Sequence, residues 1–416
     1  MSTVDGWSAD RNEGKKMKIT NITVTTVMVP LEAPIRWGYG TRTNTVRNIV
    51  KVETDDGLVG YGESRGSNAV NALIKNFAGR IRGEDPFNIE RILALFQTEP
   101  FFHGYDGYSA IAGIEMALWD IKGKALGRPV YDLLGGLYRR HIPVAGYIFY
   151  RHRSEQGQGG ESNPDEIVEH CRDLVDKYQF TTLKLKGGVF PPEEEVAAIA
   201  AMRAAFGPEM KLRLDPNGIW TPQTSLRIGH MLLPYDLEYL EDPTYGIDGM
   251  AMMRKDIPIP LSTNMWVVEF DHIPLSVNLG AVDVILSDVH KWGGLWRTKE
   301  LAAVCRTFKL GFSMHSGAEL GISTAAMLHI GASTPHLMYD IDSHYHHMVD
   351  DILKGGMLQY QDGGMYVPGG TGLGVDVDDD KLALYSNFYV EKSSTESDEA
   401  QFDPLRKDWI PGLQVW

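Results

Sequence analysis

Three oxygen donors recur through the middle of this chain, Asp215, Glu241 and Asn264, spaced by 26 and 23 residues. Two carboxylates and an amide oxygen are hard ligands, suited to Mg²⁺ with positions left for water or a substrate. Singly, each is as readily a capping or turn residue opening the next helix; as a set they favour a metal. Upstream, Lys184 and Lys186 stand one residue apart, so on a strand both ammonium groups point to the same face. Each lowers the pKa of the other, as does a nearby divalent cation, and a neutral lysine is a competent base. Downstream, Asp288 and His315 make a second candidate pair. A carboxylate on one imidazole nitrogen fixes the tautomer and makes the other nitrogen more basic, so His315 is a second acid/base group opposite the lysines.

Such groups need elements that end side by side. From about Val144, short β-rich runs alternate with amphipathic helical stretches. The strand candidates are Val144–Tyr150, Thr181–Lys186, Lys211–Asp215, Leu237–Glu241, Ile259–Asn264, Val282–Asp288, Gly311–His315 and Leu337–Asp342. Helix-like segments separate them, among them Pro192–Phe206, Leu295–Phe308 and Ala318–Ala332. This alternation predicts an α/β fold on a parallel sheet, and eight strands favour a (β/α)8 TIM barrel over an open sheet. The strands end on polar residues: Lys184 and Lys186, Asp215 and Asn217, Glu241 and Asp242, Asn264, Asp288 and His290, His315, then Asp340, Asp342 and His344. In a barrel that end is where the βα loops open and catalytic groups converge.

Residues 17–140 read as a small α+β unit. Met17–Val29 and Arg47–Thr54 are strand candidates, and Asp55-Asp56-Gly57 turns the chain into Leu58–Glu63. Leu31–Asn44, with Pro34, Gly38 and Gly40, reads as a loop. Helical patterning runs from Asn68 to about Leu134, where Gly135-Gly136 ends it. The barrel is expected over 141–350. Residues 351–416 return to glycine-rich hairpin chemistry and are expected to rejoin the N-terminal unit. Residues 1–16 lack the apolar stretch of a secretory signal and read as a flexible leader of a cytoplasmic protein.

The 416 residues are 43% apolar and 23% charged, which excludes wholesale disorder. No run approaches a membrane-spanning length. A net charge of −15 argues against nucleic acid or an anionic membrane as partner. Cys171 and Cys305 stand far apart and form no disulfide framework, which fits a reducing compartment.

With these residues assembled, the chain resembles the enolase superfamily, and within it the D-glucarate dehydratase group. The resemblance runs from about Met17 to Asp380. It is carried by Ile114–Asp120, Gly146–Tyr150, Lys184-Leu185-Lys186-Gly187-Gly188-Val189 with Glu193–Glu195, and Leu214–Gly218. Glu241-Asp242-Pro243, Thr263-Asn264-Met265, Asp288-Val289-His290, Met314-His315-Ser316 and Asp342-Ser343-His344 complete it. It implies an N-terminal α+β capping domain, completed by the C-terminal tail, on a modified barrel. It also implies Mg²⁺ as cofactor, a small-molecule sugar acid as substrate and a homo-oligomer.

The implied chemistry is abstraction of the proton α to a carboxylate, then β-elimination to a 2-keto-3-deoxy acid. Asp215, Glu241 and Asn264 would hold Mg²⁺. Lys186 would be one base with Lys184 as electrostatic helper. His315, oriented by Asp288, would be the other. Asn217, Tyr150 and His344 would position the substrate, and from the cap Arg42 and His103 are added as candidates. The sequence departs from the group at His315-Ser316-Gly317-Ala318, where amides are usual, and in the loops Arg36–Thr43 and Arg151–Asn163. Dehydration is therefore better supported than glucarate itself. A racemase or epimerase on the same metal site, a cycloisomerase, and a non-catalytic carboxylate-binding barrel are the competing readings. Counted locally, the metal and the lysines leave a positive pocket despite the acidic chain, which suits a diacid.

Overall fold

The computed structural model describes residues 16–392 together with 403, 405 and 416. All but Lys16 of the expected leader, and most of the chain past 392, lie outside the described residues.

The first unit is an antiparallel sheet of β1 (Ile19–Trp37), β2 (Gly40–Thr54) and β3 (Val59–Arg65). The helices α1 (Asn68–Ile81), α2 (Ile89–Ala94), α3 (Glu99–Leu126) and α4 (Val130–Leu133) follow. Ser67 caps α1 by accepting the Val70 N–H at 3.0 Å. The α3 helix lies so close on β3 that a Cβ on Gly62 would sit 1.9 Å from the Gly113 carbonyl oxygen, so only glycine fits there.

The expected loop at 31–44 is instead strand. β1 and β2 run on to a tight turn at Gly38-Tyr39, with one irregularity between Pro30 and Ile35. The prolines and glycines mark a bulge and a turn within one long hairpin rather than a loop. Its far end pairs with the barrel, Ile35 against Arg151 and Arg36 against Tyr150.

After β4 (His141–Pro143), the barrel begins with β5 (Gly146–Arg151). It continues as α5 (Pro164–Tyr178), β6 (Thr182–Lys186), α6 (Pro192–Phe206), β7 (Lys211–Asp215), α7 (Pro222–Leu232) and β8 (Tyr239–Glu241). Then come α8 (Gly246–Asp256), β9 (Leu261–Thr263), α9 (His272–Leu279), β10 (Val284–Ser287), α10 (Leu295–Phe308), β11 (Gly311–Met314) and α11 (Gly321–Ser333). β5 to β11 pair in parallel in chain order. Leu183 and Leu185 are wholly buried, as the barrel reading requires.

The eighth expected strand, Leu337–Asp342, does not form as a strand. It closes the barrel through a single bridge between Val144 and Ile341. Around that bridge backbone bonds hold the segment on both sides: the Met338 and Asp342 N–H groups donate to Phe312 and Met314 of β11 at 3.1 and 2.9 Å, the Ile341 N–H donates to Pro143 at 3.0 Å, and the Ala145 N–H donates to Ile341 at 2.9 Å. Side chains add to these. Thr182 donates to Asp340 at 2.6 Å, and buried Arg213 reaches the Asp340 carbonyl at 2.9 Å.

The cap is tied to the barrel by two buried glutamates. Glu63 of β3 accepts the Leu320 and Ser323 N–H groups at the start of α11, at 2.8 and 2.9 Å. Glu115 of α3 accepts those of Leu295 and Trp296 at the start of α10, both at 2.9 Å. A carboxylate at a helix N-terminus satisfies orphan donors and meets the positive end of the helix dipole. The tail touches both units: β13 (Gly364–Tyr366) pairs onto β4 with β12 (Tyr360–Gln361) on its other side, while the Leu373 N–H donates to Asp120 of α3 at 2.9 Å. Among the described residues no helix is long and apolar enough to cross a membrane.

Candidate active site

The polar strand ends converge on a cavity of about 240 Å³ between the barrel mouth and the cap hairpin. It is lined by Lys186, Asn217, Asn264, Asp288, His315 and His344 from the barrel and by Trp37, Tyr39, Arg42, Arg47 and Tyr105 from the cap. Each βα loop is fixed locally. Glu195 of α6 accepts the backbone N–H groups of Gly188, Val189 and Phe190 at 2.9–3.1 Å, which pins the loop after Lys186. Asn217 takes a left-handed backbone (φ 58°) that asparagine tolerates, and its N–H donates to Asp215 at 2.9 Å. Asp242 accepts the Asn264 N–H at 3.0 Å.

Beneath the cavity Asp215 and Glu241 are fully buried. Lys184 Nζ lies 2.5 Å from Glu241, 2.6 Å from Asp342 and 3.6 Å from Asp215. Lys186 Nζ donates to Asp215 and lies 3.3 Å from Asn217 Oδ1. Burial opposes the charge on Lys184, but Asp342, Glu241 and Asp215 outweigh it and hold its pKa above the ordinary lysine value. The expected lowering of Lys184 by its neighbour is thus reversed, because carboxylates from β7, β8 and the closing segment face it. Asp215 sits below the usual carboxylate range, since the two lysines outweigh burial, whereas burial and Asp215 push Glu241 well above it.

Two buried carboxylates that resist ionising together are the donor set a divalent cation relieves. Asn264 completes it with one adjustment. Its amide nitrogen donates to Glu241, while its oxygen accepts from Lys291 Nζ at 2.8 Å, so as a ligand it must exchange the two.

Across the cavity His315 Nδ1 donates to Asp288 Oδ2 at 3.1 Å. Burial, then Lys291, pulls His315 down to about 4 against the opposing pull of Asp288. It is therefore a neutral imidazole near pH 7 with Nε2 as its acceptor. Two expected substrate residues stand elsewhere. His103 is half exposed and 3.6 Å from Glu99 on the cap helix. Tyr150 is buried with its ring against Phe190, because strand alternation turns it away while Phe149 lines the cavity. Arg36 is paired with Asp403 at 2.6 Å. Lys291 and Arg47 are lining residues that sequence reasoning missed; the only signal for Lys291 was its place beside Asp288 and His290 at a strand end.

Family models match on both parts of the chain. "Mandelate racemase / muconate lactonizing enzyme, N-terminal domain" covers 19–135, and "Enolase C-terminal domain-like" covers 166–381. A probable glucarate dehydratase of Streptomyces coelicolor is 39% identical over 89% of this chain and 93% of that protein. The chain belongs to the enolase superfamily. This superfamily member is similar in structure to an enolase of Thermobispora bispora crystallised with magnesium and formate, with 38% identity, TM-score 0.89, and coverage of 96% of this chain and 100% of that one. It is also 28% identical, over 76% of its length and 85% of the other, to an N-succinyl-L-Arg/Lys racemase of Bacillus cereus.

Proposed function

We propose that this superfamily member is a Mg²⁺-dependent hydro-lyase that dehydrates an acid sugar, an aldarate such as D-glucarate or a related aldonate. The observation that carries it is a base-capable group on each side of one cavity, Lys186 and the Asp288-held His315, beside the buried oxygen set Asp215, Glu241 and Asn264. The glucarate dehydratase relative supports dehydration, and the magnesium of the Thermobispora enolase supports the metal. Bound by Asp215, Glu241 and Asn264, Mg²⁺ would stabilise the negative charge that gathers on the substrate carboxylate as its α-proton leaves.

The chain's own groups do the rest. Lys186 Nζ or His315 Nε2 takes the α-proton, according to which face carries it. Lys184 stays charged and offsets the carboxylates beneath. Where His315 took the α-proton, it returns that proton to the departing β-hydroxyl, which leaves as water; where Lys186 took it, Nζ keeps that proton and His315 takes one from solvent before giving it to the hydroxyl. The enol product becomes a 2-keto-3-deoxy acid. Asn217, Arg42 and His344 hold the polar chain of the substrate. Both cysteines are free and buried, which supports a cytoplasmic enzyme.

A racemase or epimerase is the second reading, favoured by bases on two sides and by the Bacillus relative. Purified protein with Mg²⁺ is incubated with an aldonate and aldarate library and read by mass spectrometry. A 2-keto acid from one or more members is expected. Deuterium uptake from D₂O without keto acid gives the site to the racemase reading, and neither product removes both.

A further inference from the structure

The hydroxyl of Ser316 stands between two buried side chains. Its one hydrogen goes to Glu319 Oε2 at 2.6 Å, and the other oxygen of Glu319 accepts the Gly317 N–H at 2.6 Å. Burial, then Asp288, raises the Glu319 pKa, and Arg47, His290 and the Ser316 hydrogen bond oppose them; the geometry decides the direction of the hydrogen-bond chain, since both oxygens are placed as acceptors, one for the Ser316 hydroxyl and one for the Gly317 N–H. With its hydrogen spent, Ser316 Oγ can only accept. It takes the His344 backbone N–H at 3.1 Å and lies 2.8 Å from His344 Nδ1. That ring nitrogen must therefore carry the hydrogen.

The ring is held in place, edge-on to Tyr147 at 4.5 Å and against Phe149 at 5.2 Å. Burial, with Arg42 and His315 adding, keeps it neutral, so it has a single N–H. Among the described residues no hydrogen-bond partner meets Nε2, and His344 lines the cavity. A Cβ on Gly317 would stand 3.3 Å from Glu319 Oε1, a tight contact that would press on the carboxylate by a few tenths of an ångström.

We propose that Glu319, acting through Ser316, fixes His344 as the Nδ1–H tautomer and so presents Nε2 to the cavity as an acceptor for a substrate hydroxyl. An acceptor takes an O–H and repels a carboxylate oxygen. The substrate's anionic ends then fall to the part of the cavity lined by Lys186, Lys291 and Arg42. Glu319 is a positioning residue that selects a polyhydroxylated acid. The nature of the hydroxyl rests on the sugar-acid reading, whereas the tautomer does not.

The test is ring ¹⁵N NMR of histidine-labelled full-length protein, with His344 assigned by its loss in His344→Asn. The parent is expected to show Nδ1–H. In Glu319→Gln the new amide donates to Ser316, the serine hydrogen turns to Nδ1, and His344 switches to Nε2–H. Should that variant not fold, Ser316→Ala is expected to leave a mixture of tautomers. Nε2–H in the parent, or a tautomer unchanged in the variants, overturns the proposal. On a sugar acid that the parent turns over, Glu319→Gln should raise KM on the order of tenfold and change kcat by less than about threefold. A parent without turnover would remove the proposed function and leave the NMR result standing.

Discussion

The two sides of the cavity bury basic groups to a similar depth and treat them in opposite ways. Lys184 is wholly enclosed, yet its pKa lies above the ordinary value because three carboxylates from β7, β8 and the closing segment face it. His315 is enclosed too and has a carboxylate of its own, but burial and the Lys291 ammonium win, and it falls to about 4. Burial penalises either charge; what differs is the number and sign of the groups aimed at each. One side of the site stores fixed positive charge and the other keeps a neutral imidazole ready to take a proton.

Removing the base from either side should have the largest effect. Lys186→Ala and His315→Asn are each expected to lower kcat/KM on the order of 10²–10⁴-fold, read as keto-acid formation. Asp288→Asn should cost less than His315→Asn, since it loosens the imidazole without deleting it. On the lysine side, Asp342→Ala leaves Lys184 and Arg213 short of a buried counter-charge. It should destabilise the fold by about 3–5 kcal/mol in urea titration, well beyond a surface ion pair.

The pH profile separates the two sides next. His315 has a pKa lowered from 6.5 to about 4, so its base form is present above that value and lost as pH falls through it. The acid limb of kcat/KM for the epimer whose proton faces His315 should then lie near pH 4. A limb near 6.5 would break the contrast. The smallest effect sharpens it: Lys291→Met removes a repelling cation and should move that limb toward neutral pH.

Much of this was legible in the sequence because it lies at strand ends, where alternation and spacing speak directly. Helices α6 and α10 begin and end where the pattern placed them, and Lys184, Asp215, Glu241 and His315 fall on the same end of the barrel. What stayed hidden depends on contacts across the fold. Glu63 and Glu115 join cap to barrel over separations of 257 and 180 residues; the stretch around Glu115 carries the family resemblance, but the partners of either carboxylate cannot be read from local sequence. Lys291 matters because it meets Asn264, 27 residues away. The hairpin over 31–44 was misread because Pro34, Gly38 and Gly40 signal a loop unless a barrel edge is there to pair with. The eighth segment holds its expected place with backbone bonds to both neighbours but forms only one bridge, since alternation foretells position and not the regularity of a ladder.

The most direct test is α-proton exchange in D₂O, with Mg²⁺, on a pair of C2 epimers of an accepted acid. His315→Asn should still exchange the epimer whose proton faces Lys186 and lose the other. Lys186→Ala should show the reverse. Loss of exchange with both epimers in both variants, or retention of both, would contradict a site with one base on each side.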